Sequence, residues 1–128
     1  MAKTTIITII SIFLLIFAGC TQENVTNNKQ ETIKVGVLIP LSGPFAQYGE
    51  KVKAGIDAGA NNIELVYEDT QCDVTKTLSA YQKLRQINNV KFIIGPACGS
   101  PQEALAPIAK DDKTILMLPS AASVELYQ

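Results

Sequence analysis

From Ile33 onward the chain alternates two kinds of hydrophobic pattern. Ile33 to Ile39 (IKVGVLI) is a nearly unbroken β-branched run with one charge, the pattern of a parallel strand buried on both faces. Glu50 to about Ala60 sets Val52 and Ile56 one helical turn apart and predicts a short helix. Ile63 to Tyr67 (IELVY) predicts a second strand. Asp73 can cap a helix running to about Ile87, with Leu78, Tyr81, Leu84 and Ile87 as its apolar stripe and Asn88-Asn89 as its end. Val90 to Ile94 (VKFII) predicts a third strand, followed by a Gly-Pro loop. Ser100-Pro101-Gln102-Glu103 then reads as a capping box with Pro at the first helical position, and Ala104, Leu105, Ile108 and Ala109 as the buried face behind it. Thr114 to Leu118 (TILML) predicts the fourth strand.

This alternation predicts an α/β fold, a parallel doubly wound sheet of flavodoxin-like or Rossmann-like type with right-handed crossovers. Ligands of such sheets bind outside the carboxyl ends of the strands, where the strand order reverses. Three loops at that edge are rich in small and hydroxyl residues: Leu41 to Gly49, Gly95 to Ser100, and Pro119 to Ser123. The loop after the second strand carries Cys72.

The residues ahead of the first strand follow a different pattern. Lys3 precedes an apolar stretch from Ile6 to Phe17, too short for a bilayer span but suited to the h-region of an export signal. The small pair Ala18-Gly19 and then Cys20 follow. This arrangement resembles the lipobox of prokaryotic lipoproteins, with Phe17 standing where Leu is usual. The resemblance implies a signal peptide over residues 1–19 and acylation of Cys20; an ordinary signal peptide with an incidental Cys is the alternative. Residues 20–31 are almost wholly polar and read as a flexible tether, leaving residues 32–128 for the folded domain.

Composition narrows the chemistry. Of 128 residues, 47% are hydrophobic and 18% charged, and the formal charge is -1, so neither disorder nor nucleic-acid binding is indicated. The chain has no His, which excludes Ser-His-Asp and Cys-His catalysis and most zinc sites. It also lacks a G-x-x-x-x-G-K-[ST] phosphate loop, which argues against a small flavodoxin-like enzyme. No metal or cofactor is expected.

The segments IKVGVLIPLSGPFAQYGE, VYEDTQCD, FIIGPACGS and ILMLPSAASVELYQ, in that order and spacing, resemble the first part of a type 1 periplasmic binding protein. The likeness is to the Leu/Ile/Val-binding branch that serves ABC importers, and it runs over essentially all of Ile33 to Gln128, with a shorter first helix before Ile63. It implies a binding component, not an enzyme, that is exported, anchored by lipid to the cell membrane and paired with ABC permease subunits. Such proteins have two lobes hinged around the ligand and are about three times longer. The resemblance therefore makes this chain a partial first lobe, arising as a truncated gene product, a fragment or a half that needs a partner.

The resemblance also implies roles for individual residues. It pairs Cys72 with Cys98 in a disulfide, the expected state in an exported chain. If the strand order is 2-1-3, the strand ends bearing these residues lie roughly 10 Å apart. One loop must then curl over the first strand to bring the cysteines together. The family's carboxylate-binding Ser falls at Gly99, with Ser100 one position on and able to take the role by a shift, or else only to cap its helix. Ala121 aligns with a position offering backbone groups, and Ser123 with one offering a hydroxyl and N–H to the ends of an amino acid. Tyr48 falls where an aromatic ring meets the ligand side chain. The expected ligand is a small zwitterion of the apolar or branched-chain amino-acid class. A sensory receptor domain of the same superfamily and a non-functional gene fragment are the alternatives.

Overall fold

The first β-branched run forms strand β1 over Ile33–Ile39, the residues the pattern predicts. The computed structural model describes residues 32–120, so the expected leader and tether, Cys20, Ala121 and Ser123 lie outside the described residues. After β1 come helix α1 (Ala46–Gly59), β2 (Ile63–Asp69), α2 (Val74–Gln86), β3 (Phe92–Ile94), α3 (Gly99–Asp111) and β4 (Ile115–Met117). The strands form one parallel sheet in the order β2-β1-β3-β4, with Ile33 opposite Ile63 and Ile39 opposite Asp69. The chain thus steps from β1 to one side and then crosses back, so the order reverses at β1, where a ligand crevice is expected.

Alternate strand residues face opposite ways, and the helices divide between the two faces. Leu38 and Ile93 pack with Tyr81 and Leu84 of α2 and Leu105 of α3 in one core, and each of these five is at most 1% exposed. On the other face Val37 and Ile39 pack with Val52 and Ile56 of α1. At the amino end of β1 and along β3 and β4 this second face is open: Ile33, Phe92, Ile115 and Met117 are all exposed and line a groove of about 320 Å³.

Several elements depart from their predicted bounds. Helix α1 begins at Ala46 instead of Glu50, because Gly49 acts in the helix and not in the loop. A Cβ at Gly49 would sit 1.7 Å from the Pro40 carbonyl oxygen, so glycine is what lets the first turn of α1 lie against the exit of β1. Strand β2 runs two residues further than predicted, to Asp69. Strand β3 begins at Phe92, after the predicted Val90, and β4 is trimmed at both ends. Asp73 caps α2 as expected, accepting from the Lys76 N–H at 2.8 Å. Ile87 is 75% exposed instead of completing the stripe: it is the C-cap, and Thr77 and Ala80 take the buried face beside Tyr81 and Leu84. On α3, Ile108 is exposed and Gln102 is buried in place of it.

Candidate functional site

At the carboxyl edge of the sheet three loops are tied together by Asp69 and a disulfide. Asp69 ends β2 opposite Ile39, and its Oδ1 accepts from the N–H groups of Leu41 at 2.8 Å, Ser42 at 3.3 Å and Gln71 at 3.1 Å. Its Oδ2 accepts from the Ser42 hydroxyl at 2.5 Å and from Gln71 Nε2 at 3.4 Å. Partial burial by itself pushes this carboxyl up. The hydrogen bonds from Ser42, Leu41 and Gln71 outweigh it and hold the pKa at about 2.

The turn after Asp69 places Gln71 at φ 50° and Cys72 at φ 57°, two consecutive left-handed residues that are not glycine. This is the curl the strand order requires. It carries the chain over β1 and sets Cys72 against Cys98 with a Cα–Cα distance of 5.5 Å, and the two are disulfide-bonded. Cys98 in turn is the N-cap of α3, at φ −125° and ψ 143°, and its carbonyl accepts the Gln102 N–H at 3.1 Å.

That bond changes the register of the helix start. The predicted capping box does not form: α3 begins at Gly99, Ser100 is its second residue and Pro101 its third, and no side chain caps it. Ser100 is exposed and its hydroxyl is not spent on the helix. The N–H groups of Gly99 and Ser100 have no carbonyl behind them in the helix, and Pro101 has no N–H to leave unpaired. The helix therefore opens on two backbone donors and a hydroxyl at its positive end.

These groups face a groove of about 440 Å³ lined by Phe45, Tyr48, Cys72, Cys98, Gly99 and Ser100, with Ala97 and Pro101 completing it. The structure thus brings together Tyr48, Gly99, Ser100 and the disulfide, four of the sequence-based expectations. Tyr48 is 37% exposed in the first turn of α1, and Phe45, which the sequence reading passed over, stands beside it at 53%. No lining residue is acidic. Among the described residues no group of three His, Cys, Asp or Glu side chains could hold a metal ion.

Two further side chains hold the edge. Gln102 Nε2 donates to the Pro96 carbonyl at 2.9 Å and to Ser120 Oγ at 3.0 Å, and Ser120 Oγ donates to the Ala97 carbonyl at 3.1 Å. The loop leaving β4 is thereby fastened to the start of α3. Neither Gln102 nor Asp69 was singled out by sequence reasoning. Asp69 carried a weak signal, an acidic residue just past an apolar strand and ahead of a turn.

Residues 32–127 match the periplasmic binding protein family. Among individual relatives, the leucine-, isoleucine-, valine-, threonine- and alanine-binding protein of Pseudomonas aeruginosa is 30% identical over 108 residues, covering 75% of this chain and 28% of that one. A leucine-binding protein from Thermotoga maritima superposes with a TM-score of 0.69 at 26% identity, over 76% of this chain and 30% of that one. A solute-binding protein of an ABC transporter from R. palustris, solved with 4-hydroxybenzoate, gives a TM-score of 0.68 at 30% identity, over 75% of this chain and 29% of that one. The chain spans less than a third of the length of these relatives.

Proposed function

The chain belongs to the periplasmic binding protein family, and we propose that it contributes the carboxylate-holding part of a solute-binding site serving an ABC importer. One observation carries the reading: the start of α3 leaves the Ser100 hydroxyl and two backbone N–H groups uncommitted against the Phe45–Tyr48 wall. A carboxylate fits the donors, and an apolar body fits the rings. The family and the named relatives support binding and delivery outside the cytoplasm, with no chemistry on the solute. On this reading Cys20 carries the lipid anchor, Ala121 and Ser123 add donors from the β4 exit, and permease subunits receive the solute.

The solute class follows from what the groove lacks. A branched-chain amino acid brings an ammonium that must be neutralised once it leaves water, and no lining residue is acidic. Among the described residues nothing lining the groove supplies that charge. The same gap favours a second solute class, an aromatic acid without an ammonium, as bound by the R. palustris relative.

The test is calorimetric titration and a thermal melt of the oxidised full chain, as its Cys20→Ser variant, with leucine and with 4-hydroxybenzoate. Weak binding of either, abolished by Ser100→Pro and reduced by Ser100→Ala without loss of melting temperature, is the expected result. No heat and no shift with either acid, from a chain that melts cooperatively, would refute the proposal.

A further inference from the structure

We infer that Asp69 is the positioning residue of the candidate site, one carboxylate that fixes the aromatic wall and the disulfide in register; this rests on reading the groove as the place where solute binds. Asp69 does not line the groove, so it acts through others. Among the described residues, every hydrogen bond that leaves residues 41–45 for another segment ends on Asp69 or on its neighbour Gln71. The other backbone bonds of that loop among the described residues are local, the Ala46 N–H on the Gly43 carbonyl and the Gly49 N–H on the Phe45 carbonyl, both at 3.1 Å. The placement of Phe45 and Tyr48 at the mouth of α1 therefore depends on where Asp69 holds Leu41 and Ser42.

The same carboxylate acts on the opposite wall. By accepting the Gln71 N–H it stabilises the left-handed pair Gln71–Cys72, which sequence preference alone disfavours. Thr70 Oγ1 assists by accepting the Cys72 N–H at 3.4 Å, and the Asp73 N–H closes the turn on the Thr70 carbonyl at 2.8 Å. Cys72 so placed meets Cys98, and Cys98 caps α3 and sets Gly99 and Ser100. A continuous path of contacts runs from the aromatic wall through Asp69, Cys72 and Cys98 to the donors of α3. A three-donor cluster on a single carboxylate oxygen is a strong, directional anchor, which suits a role in orientation.

The experiment measures the equilibrium of the Cys72–Cys98 disulfide with glutathione in the full chain, in a Cys20→Ser background, beside leucine and 4-hydroxybenzoate titrations. Asp69→Ala should shift that equilibrium toward the dithiol by about tenfold, since it frees Cys72 to leave its turn. Asp69→Asn keeps an acceptor in place of Oδ1 and should rescue it to within about threefold of the parent. Leu84→Ala, in the core between α2 and β1, lowers stability without touching the loops and should leave the disulfide equilibrium within about twofold. An unchanged equilibrium in Asp69→Ala overturns the inference, and so does an equal shift in Leu84→Ala. If Asp69→Ala fails to fold, Ser42→Ala, which removes one bond to the carboxylate, should shift the equilibrium the same way by about threefold; no shift there overturns it too. Should the parent chain bind neither acid, the solute-binding reading fails while the glutathione equilibrium still decides the role of Asp69.

Discussion

On one face of the sheet Leu38 and Ile93 lie beneath two helices against Leu84 and Leu105, and none of the four is more than 1% exposed. On the other, Ile33, Phe92, Ile115 and Met117 are between 45% and 65% exposed beside a single helix. The strands are the same, so the difference lies in how the helices reach them. Helices α2 and α3 present Tyr81, Leu84 and Leu105 to the sheet, whereas α1 presents only Val52 and Ile56. Helix α1 is also pressed against Pro40, and so covers the carboxyl half of its face, where the loops of the site emerge. The molecule is best packed beneath its candidate site and least packed away from it.

The sharpest way to break this contrast is Leu84→Ala. It should cost roughly 2 to 5 kcal/mol in chemical denaturation, because the cavity lies between α2 and β1 with little room to collapse. Gly36→Ala should cost about 1 to 3 kcal/mol, since its new Cβ would stand 2.7 Å from Leu84 Cδ1. The double variant Gly36→Ala/Leu84→Ala should lose clearly less than the sum, as each change makes space for or fills the other. Strict additivity in the denaturation midpoints would show that the two residues do not share a packed face.

Acid should widen the gap between the faces. Helix α1 is fastened at its rim by Asp57, which accepts from Lys53 Nζ at 2.5 Å and from the Tyr67 hydroxyl at 2.5 Å. The Lys53 bond first and the Tyr67 bond second hold the Asp57 pKa below the ordinary aspartate value of 3.8. A carboxyl whose pKa is lower in the folded state stabilises fully above its unfolded value and loses that contribution as pH falls through the folded one. Amide exchange, corrected for intrinsic rates, should therefore accelerate in α1 below about pH 4 while α2 and α3 stay protected. The smallest effect belongs to the open strip: Met117→Thr and Ile115→Thr should each change stability by no more than about 0.5 kcal/mol. A loss of several times that in either would mean the strip is covered in solution.

Much of this architecture was legible because its causes are local. The β-branched run of β1 gave the strand its bounds, and Asp73 capped α2 as its position suggested. The misreadings arose where a tertiary contact overruled a local preference. Gly49 looked like a loop residue, but its value is the missing Cβ against Pro40. Ser100-Pro101-Gln102-Glu103 has the chemistry of a capping box, but with Cys98, held by the disulfide, at the cap the helix starts two residues earlier. Tyr48, Gly99 and Ser100 were reached through family likeness, and the groove does assemble them. The roles of Asp69, which carried only a weak signal, and of Gln102 depend on partners in loops that meet only once the sheet has formed.

Helix α1 also divides the substitutions this protein can tolerate. Any single-base change that alters the residue at Gly49 adds a Cβ where the Pro40 oxygen already stands at 1.7 Å, so that codon should show no neutral drift. Further along the same helix, Gly55 and Gly59 have nothing within 4 Å of the same ideal position. Alanine at Gly55, inside the helix, should stabilise it by about 1 kcal/mol, and at Gly59, its last residue, by less. In a randomised library selected for folding, the first of these glycines should persist while the other two are replaced.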